Sequence, residues 1–300
     1  MSKKVQLVEI GPRDGFQNVK EYIPVEFKLE IIDGLVKAGM KKIQCTSFVS
    51  PKHIPQMKDA PEVVQTVMSR YQDVQFFALV PNLHGAKAAV EAGLKEISCL
   101  ISLSVSHNQA NIQRTHEQSL DEIKRIRDSF PEIKISQDIS TVFGCPFDGR
   151  MEVAPLIDMM GRLYGIGIRS FTLCDTIGVA YPSQVREVLT KSMEAFPDCE
   201  MDLHIHDTRN MGIISSLEGV KCGAHSIQTS LGGLGGCPFA PGASGNTSTE
   251  DMAYLLRKEG YETGIDEKIL LGTAKKLRAN VDGSYSGHLI NIEVNHADFV

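Results

Sequence analysis

Two histidines separated by one residue are the clearest candidates for chemistry in this chain. Residues 201–207 read Met-Asp-Leu-His-Ile-His-Asp, a mostly apolar run that predicts a buried strand. Side chains alternate between the two faces of a strand, so His204 and His206 face the same way and can hold one divalent ion. Histidines with this spacing also occur as polar core residues, and the pair alone leaves both interpretations open.

Two further segments could complete a metal site. Residues 9–18, Glu-Ile-Gly-Pro-Arg-Asp-Gly-Phe-Gln-Asn, place the carboxylate of Asp14 just after the first apolar run. Residues 232–246 form a glycine-rich loop that contains one thiol, Cys237, and ends with an amide, Asn246. An aspartate, two histidines and an asparagine are a ligand set for a hard or borderline divalent cation such as Mg²⁺ or Mn²⁺.

The composition excludes several classes of protein. The chain has 300 residues, 42% of them hydrophobic, and a net charge of −6. It has no basic run typical of nucleic-acid binding and no apolar run near the roughly 20 residues of a membrane span. The seven cysteines are odd in number and form no Cys-x-x-Cys pair, which indicates reduced thiols in a cytoplasmic protein. A strand pattern begins almost at once, so we expect no signal or transit peptide.

Short apolar runs alternate with helical patterns along the chain and would position these residues. The strands are rich in Val, Ile and Leu, as strands buried on both faces are. The predicted strands are Val5–Ile10, Lys42–Cys45, Val74–Val80, Glu96–Leu100, Lys134–Ile139, Arg169–Leu173, Met201–Ile205 and Ser226–Ser230. The helices predicted to follow them are Glu26–Ala38, Pro61–Ser69, Leu83–Ala92, Ser119–Ser129, Glu152–Tyr164, Pro182–Ala195, Met211–Cys222 and Ser248–Lys258, with Ser119 as the N-cap of the fourth.

Eight strand–helix units predict a (β/α)₈ TIM barrel over about residues 5–258, with an open doubly wound sheet as the alternative. A further helix, Asp266–Ala279, should follow the barrel. We expect residues 280–300 to pack over a barrel face or to complete a contact between subunits. Because no linker interrupts the chain, we expect residues 1–300 to form a single catalytic domain.

The predicted strand ends bring the polar residues together. In TIM barrels the chemistry takes place at the C-terminal ends of the strands. The residues predicted to lie there are Arg13, Asp14, Gln44, Thr46, Ser47, Ser104, Ser106, His107, Ser140, Thr141, Asp175, His204, His206 and the loop 232–246. This convergence favours the metal-site interpretation of the two histidines.

The residue types indicate roles. A divalent ion with open positions would take a bidentate substrate and lower the pKa of its hydroxyl group, and ligation by neutral histidine predicts lower activity at acid pH. Arg13 would stabilise an enolate oxyanion or pair with a buried carboxylate such as Asp175. Asp175 would act as a base or orient Arg13. Cys237 would deliver a proton when its loop closes, or pack as a small apolar residue.

Five segments together resemble the 3-hydroxy-3-methylglutaryl-CoA (HMG-CoA) lyase family. The family belongs to the metal-dependent TIM-barrel lyases and Claisen synthases. The resemblance covers about residues 5–258, and the Ser-Phe-Val-Ser-Pro-Lys and Gly-Leu-Gly-Gly-Cys-Pro stretches are specific to its lyase branch. The segments are residues 9–18, Thr46–Lys52, Asp175–Gly178, His204–Thr208 and Gly232–Asn246.

The resemblance implies a retro-Claisen cleavage of HMG-CoA to acetoacetate and acetyl-CoA, a step of leucine degradation. It implies that Asp14, His204, His206 and Asn246 hold the ion, with His204 also in proton transfer. Arg13 would stabilise the enolate, Cys237 would help to protonate it, and Asp175 would support the site.

The family likeness also implies a substrate side. Gly232 and Gly235 would allow the loop to close over the acyl-CoA, and Thr46, Ser47 and Thr141 would face the substrate. Lys52 is a candidate CoA contact or a solvated lysine. A homodimer or larger homo-oligomer is the expected assembly.

Three departures from the family pattern make this chain a divergent member. Gln44 stands where the family carries a glutamate, Arg209-Asn-Met-Gly stands where well-known lyases have Tyr-Gly-Gln, and the loop Ser104–Asn111 also differs. HMG-CoA is the expected substrate, with citramalyl-CoA as the alternative. A Claisen synthase and a non-catalytic relative remain further alternatives.

Overall fold

Eight strands of the chain close into a barrel, and two short strands, Lys3–Lys4 and Tyr261–Glu262, pair outside it. The computed structural model describes residues 3–236 and 245–292, so Cys237 lies outside the described residues. Eight strands pair in parallel and in chain order, and the last closes on the first. We label them β1 (Gln6–Glu9), β2 (Lys42–Ser47), β3 (Gln75–Leu79), β4 (Glu96–Ser102), β5 (Lys134–Ser140), β6 (Ser170–Asp175), β7 (Glu200–Ile205) and β8 (Ser226–Thr229). The predicted TIM barrel is confirmed, and the open sheet is wrong.

Helices surround the barrel and supply most of its apolar contacts. In α1, for example, Leu29, Ile32 and Leu35 fall on one face and are buried, each stabilising the fold by about 1.5–3 kcal/mol. The helices are α1 (Val25–Lys37), α2 (Ala60–Arg70), α3 (Leu83–Glu91), α4 (Val105–Ile112), α5 (His116–Ser129), α6 (Val153–Gly165), α7 (Pro182–Ala195), α8 (Gly212–Cys222), α9 (Thr249–Lys258) and α10 (Glu267–Asn280). Helix α10 is the additional C-terminal helix that the sequence predicts.

The prediction for the segment after β4 was wrong in two respects. Helix α5 begins at His116 behind a capping box made by Thr115 and Gln118, so Ser119 lies inside the helix and is not its N-cap. A separate helix, α4, is capped by Ser104 and ends at Gln113, whose φ of 54° is left-handed. Ser104 caps a helix here because its hydroxyl accepts the His107 N–H, a local hydrogen bond that apolar periodicity does not reveal.

The interior of the barrel is unusually polar. Its apolar cluster consists of Val8, Ile10 and Phe77. Hydrogen bonds join strands that are not neighbours, from Gln44 on β2 to Ser98 on β4 and from Gln228 on β8 to Thr172 on β6. Such bonds must cross the barrel interior, so the core that holds the fold lies mainly between the strands and the helices.

The segment after α10 lies at the C-terminal end of the barrel. Gly287 N–H donates to the Gly232 carbonyl at 3.0 Å, and the Ser286 hydroxyl donates to the Asn246 carbonyl at 2.6 Å. Residues 281–292 therefore support the glycine-rich loop that follows β8. Among the described residues, no helix combines the length and the apolar character that a membrane crossing requires.

A buried ion pair at the start of β2 gives a test of the fold. Lys42 Nζ lies 2.6 Å from Glu96 Oε1, and both side chains are buried. We expect Lys42→Met to lower the free energy of unfolding by about 3–5 kcal/mol, because Glu96 is left charged and buried. The double variant Lys42→Met/Glu96→Leu should recover most of this loss. Urea unfolding measures both.

The control is Lys124→Met, which breaks an exposed pair with Asp128 and should cost less than about 1 kcal/mol. Equal losses for Lys42→Met and for the double variant would contradict the argument.

Candidate active site

A short π-helical turn, Gly11–Gly15, follows β1 and presents Arg13 and Asp14 to the C-terminal end of the barrel. The Ile10 carbonyl accepts from the N–H groups of Arg13 (3.0 Å) and Asp14 (2.7 Å). Both side chains are buried although both are ionisable. The backbone turn therefore fixes a cation and an anion side by side, where water has little access.

The two histidines converge with Asp14. His204 lies on β7 and His206 directly follows it, and their Nε2 atoms are 2.9 Å apart. Donor atoms of Asp14, His204 and His206 all lie within 4.8 Å of one another, and all three residues are buried. A backbone bridge pairs His206 with Asn246, and Asn246 Nδ2 donates to Asp14 Oδ2 at 2.8 Å. The structure thus brings together the four residues predicted to bind a metal.

The donor atoms at this centre suit a divalent cation. Two imidazole nitrogens and a carboxylate lie close together, so these donor atoms are positioned to bind one cation. Among the described residues, His206 Nδ1 and Asn246 Oδ1 are buried and have no hydrogen-bond partner, a costly state for polar atoms. Carboxylate and amide oxygens suit hard divalent cations, and imidazole nitrogens suit borderline ones. The cluster is a possible metal site.

The electrostatics keep these groups in metal-binding form. Burial, together with the neighbouring His206, lowers the pKa of His204 to about 3. Burial also lowers the pKa of His206. Burial by itself raises the pKa of Asp14, but Arg13 and the two imidazoles outweigh it and lower that pKa. At neutral pH the imidazoles are neutral and the carboxylate is charged, as ligation requires.

Arg13 is held by two partners. Its Nε donates to Gln44 Oε1 at 2.5 Å, and its Nη1 donates to Asp14 Oδ1. The alternative partner considered from sequence, Asp175, instead accepts the N–H groups of Val179 (3.0 Å) and Ala180 (2.9 Å). Burial raises the pKa of Asp175, and its charge acts on His206.

The predicted substrate residues differ in their surroundings. Thr46 and Ser47 are buried at the end of β2, whereas Lys52 is exposed beyond it.

Thr141 has a φ of 61°, a strained conformation for a β-branched residue, and such strain concentrates at functional sites. Its hydroxyl accepts the Ser104 N–H at 3.1 Å, and its own N–H donates to Thr176 Oγ1 at 2.8 Å. Thr141 therefore ties three strand ends together.

Two glycines of the loop after β8 allow close approach. Gly232 has a φ of 68°, and a Cβ there would lie 2.8 Å from the ring of Tyr285. Gly235 has a φ of 156°, and a Cβ there would lie 2.5 Å from Asn246 Nδ2. A side chain at either position would displace its neighbour, and at Gly235 that neighbour is a candidate ligand. Cys237 follows outside the described residues.

Several residues near the site were missed by the sequence analysis. Glu9 accepts hydrogen bonds from Gly11 N–H (2.7 Å), Leu231 N–H (2.9 Å) and Thr249 Oγ1 (2.7 Å). Glu250 accepts from Gly232 N–H at 2.9 Å. These carboxylates position the loops that carry the candidate ligands. The sequence contains a signal for Glu9, because it is a charged residue at the end of a mostly apolar strand. Asp138 and Gln228 are likewise polar residues within predicted strands.

Comparisons with known proteins agree with this geometry. Residues 4–276 match the family described as HMGL-like. A hydroxymethylglutaryl-CoA lyase of Bacillus subtilis is 38% identical over 275 residues, which are 91% of this chain and 92% of the relative.

Solved structures of HMG-CoA lyases superpose closely on this chain. The Bacillus subtilis HMG-CoA lyase superposes with a TM-score of 0.91 at 36% identity, over 95% of this chain and 96% of the other. An HMG-CoA lyase of Acinetobacter baumannii in complex with coenzyme A and 3-methylmalate superposes with a TM-score of 0.92 at 34% identity. The superposition covers 98% of this chain and 96% of the other.

The possible metal site gives a binding test. We expect His206→Gln to weaken Mn²⁺ binding by at least about tenfold, because one of the converging nitrogen donors is lost. Titration of metal-free protein followed by electron paramagnetic resonance measures the affinity. The control is His225→Gln, which changes an exposed histidine and should leave the affinity unchanged. Equal affinities for both variants would remove His206 from the site.

The buried Glu250 carboxyl gives a pH test. Burial raises its pKa from 4.5 to about 8. Between these values the folded protein holds a proton that the unfolded chain has lost, so stability falls as pH rises, by up to about 1.4 kcal/mol per pH unit for one group. Glu250→Gln cannot ionise, and its free energy of unfolding should fall less steeply between pH about 5 and about 8.

Urea unfolding in EDTA measures this difference, with exposed Glu187 as the site of the control substitution Glu187→Gln. Parallel stability curves for the wild type and Glu250→Gln would show that Glu250 does not contribute.

Proposed function

The chain belongs to the HMGL-like family and is a carbon–carbon lyase, and from this premise we propose that it cleaves HMG-CoA to acetoacetate and acetyl-CoA with the help of a divalent cation. The observation that carries the proposal is the buried cluster of Asp14, His204 and His206 beside Arg13. This cluster is a centre for binding a chelating substrate and stabilising an enolate. Residues 1–300 would act as one catalytic domain.

The proposed cation site uses Asp14, His204, His206 and Asn246. Mg²⁺ or Mn²⁺ bound there would supply a Lewis acid that lowers the pKa of the substrate's tertiary hydroxyl group. The chain keeps the two imidazoles neutral by burial, keeps Asp14 ionised, and uses Asn246 to link the glycine-rich loop to Asp14.

The proposed reaction is a retro-Claisen cleavage. The C3 hydroxyl loses its proton, with His204 as the proposed acceptor, and the C2–C3 bond breaks as C3 becomes the ketone of acetoacetate. The bonding electron pair passes to C2 and gives the enolate of acetyl-CoA. Arg13 stabilises the enolate oxygen with its fixed positive charge. A proton delivered to C2, with Cys237 as the proposed donor, completes acetyl-CoA.

The other site residues have supporting roles in this proposal. Asp175 acts on His206 through its charge, and Gln44 holds Arg13. Thr46, Ser47 and Thr141 contact the acyl group at the strand ends. Gly232 and Gly235 let the loop close over it, and exposed Lys52 reaches a CoA phosphate. The coenzyme A in the Acinetobacter relative supports an acyl-CoA substrate.

A second substrate is favoured by a specific observation. The same relative holds 3-methylmalate, a five-carbon hydroxy diacid isomeric with the acyl part of citramalyl-CoA. Cleavage of citramalyl-CoA by the same steps would give pyruvate and acetyl-CoA. Gln44, a neutral residue against Arg13, is compatible with a substrate that differs from HMG-CoA.

The cellular setting is part of the proposal. The six described cysteines are all free thiols, which supports a reducing, cytoplasmic location. We propose a role in leucine degradation if HMG-CoA is the substrate. A homodimer or larger homo-oligomer is the proposed assembly, and light scattering tests it.

The deciding experiment is the release of acetyl-CoA from HMG-CoA and, in parallel, from citramalyl-CoA, with Mg²⁺ or Mn²⁺ and then with EDTA. We expect cleavage of HMG-CoA that EDTA abolishes and added metal restores. Arg13→Lys should lower kcat by at least about a hundredfold, because the enolate loses a fixed donor pair.

Cleavage of citramalyl-CoA alone would keep the mechanism and change the substrate. Release of free CoA from acetyl-CoA and a 2-oxo acid, without either cleavage, would instead indicate a Claisen synthase. No turnover by metal-loaded protein would contradict the proposal.

A further inference from the structure

Gln228 is a buried amide inside the barrel that touches a candidate metal ligand and has no part in the mechanism above. It lies on β8 and is 4% exposed. Its neighbour Ile227 belongs to the apolar layer under the helices, so Gln228 faces the barrel interior, since successive side chains of a strand alternate. A buried amide is costly unless it is hydrogen-bonded. The partners of Gln228 therefore indicate what it does.

The strand register places Gln228 directly beside His204. The two residues pair between β8 and β7, and paired residues of adjacent strands face the same side of a sheet. Gln228 Oε1 lies 3.2 Å from His204 Nδ1. Both side chains are buried, so water has little access to this contact.

The other end of the amide is anchored two strands away. Gln228 Nε2 donates to Thr172 Oγ1 at 3.2 Å, and Thr172 lies on β6, on the other side of β7. With Nε2 bound to Thr172, the amide oxygen is the atom that faces His204. An amide oxygen only accepts hydrogen bonds, so His204 Nδ1 is the donor.

This bond determines which nitrogen of His204 is free. A neutral imidazole carries one proton, and a proton on Nδ1 leaves a lone pair on Nε2. His204 Nε2 is the nitrogen that lies 2.9 Å from His206 Nε2, within the cluster that includes Asp14. Gln228 therefore directs the lone pair of His204 to the possible metal site.

The contact between the two imidazoles agrees with this assignment. Two Nε2 atoms 2.9 Å apart form a hydrogen bond with one proton between them. His204 Nε2 has none, so His206 Nε2 donates, and His206 Nδ1 is left without a proton. In the described part of the chain, His206 Nδ1 is buried and has no hydrogen-bond partner, so an N–H group there would be unpaired. In the metal-free protein the two histidines therefore hold opposite tautomers.

A second interior amide is built in the same way. Gln44 on β2 accepts from Arg13 Nε at 2.5 Å and donates to Ser98 Oγ on β4 at 2.8 Å. Its orientation is fixed by chemistry, because arginine has only donors. Each amide thus joins one functional side chain to a hydroxyl group two strands away and turns its oxygen to that side chain.

We propose that Gln228 is a positioning residue of the active site, whose amide oxygen keeps the His204 proton on Nδ1 and the Nε2 lone pair directed at Asp14 and His206. Gln228 touches no reacting atom and acts through His204. The inference deepens the proposed function and rests on it for the role of His204. It adds that His204 is in the ligating tautomer before a cation binds, whereas His206 must first move its proton to Nδ1.

Three variants of the full-length protein separate this role from packing. Gln228→Met keeps the length of the side chain and removes the acceptor. Gln228→Glu keeps an oxygen facing His204, and the Thr172 hydroxyl group can turn to donate to the second oxygen. Thr172→Val removes the anchor and leaves the Gln228 amide with one of its two hydrogen bonds.

The matched control is Gln137→Met. Gln137 is a fully buried glutamine on β5, and its Nε2 donates to the backbone carbonyl of Asp138 at 3.2 Å. It lies on the side of β5 that carries Ile135 and Ile139, which pack in the apolar layer under the helices. The control therefore makes the same chemical change outside the barrel interior.

The first readout is the tautomer of each imidazole, measured by long-range ¹H–¹⁵N NMR of metal-free, ¹⁵N-histidine-labelled protein at neutral pH. The signals of the two histidines are assigned by their absence from His204→Gln and His206→Gln. We expect Nδ1–H at His204 and Nε2–H at His206 in the wild type, in Gln228→Glu and in Gln137→Met. In Gln228→Met both histidines should show both tautomers, because either ring can then donate to the other. Thr172→Val should show a smaller share of the second tautomer.

The second readout is the Mn²⁺ dissociation constant, measured by titration with electron paramagnetic resonance. It should rise by about tenfold in Gln228→Met, as is typical when a metal-binding histidine loses its hydrogen-bond partner. In Thr172→Val it should rise by about threefold, because His204 keeps that partner and only its anchor is lost. Gln228→Glu should bind Mn²⁺ at least as tightly as the wild type, and Gln137→Met should bind it equally.

Wild-type tautomers and affinity in Gln228→Met would overturn the inference. It would also be overturned by Gln228→Glu behaving like Gln228→Met, since the acceptor would then not be the cause, or by an equal loss in Gln137→Met. If Gln228→Met does not fold, Thr172→Val decides the question by the same two readouts. The two proposals fail separately, because a wild-type protein that cleaves neither thioester contradicts the proposed function, whereas the NMR and Mn²⁺ results still decide the role of Gln228.

Discussion

The buried charge of Asp14 is the constraint on which the rest of the site depends. A carboxylate at this depth is stable only if donors surround it, and they come from two separate parts of the chain. Arg13 contacts it from the same turn, and Asn246 reaches it from the loop after β8. The hydrogen bonds to this one carboxylate therefore join segments that are 232 residues apart in sequence.

The polar interior of the barrel has a cost that the outer layer offsets. Many barrels of this class fill the centre with branched apolar side chains, whereas here the described centre holds amides, hydroxyl groups and carboxylates joined by hydrogen bonds. Partly satisfied networks of this type are destabilising, and fully satisfied ones fix a unique arrangement. The apolar contacts between strands and helices supply the stability that such an interior does not.

The glycine-rich loop is anchored at its start by two buried acids. Glu9 and Glu250 accept the successive N–H groups of Leu231 and Gly232, and burial raises the pKa of Glu9 to about 7 and that of Glu250 to about 8. Glu9 also holds Gly11, just before Arg13. One carboxylate thus couples the turn that bears Arg13 and Asp14 to the loop that leads to Asn246.

The sequence by itself determined the barrel, because eight apolar runs separated by helical periodicity permit few other architectures, and it brought the candidate metal ligands to one end of that barrel. The alternation of side chains on β7 was enough to place His204 and His206 on one face. Local hydrogen bonds decided the details it missed, such as the cap at Thr115 and the separate helix α4. Only the tertiary structure identified the partners of Arg13, the anchoring of the loop by Glu9 and Glu250, and the hydrogen bonds from Gln44 to Ser98 and from Gln228 to Thr172. The last two bonds connect strands that are not neighbours. No periodicity in the sequence records which interior side chains meet inside a closed barrel.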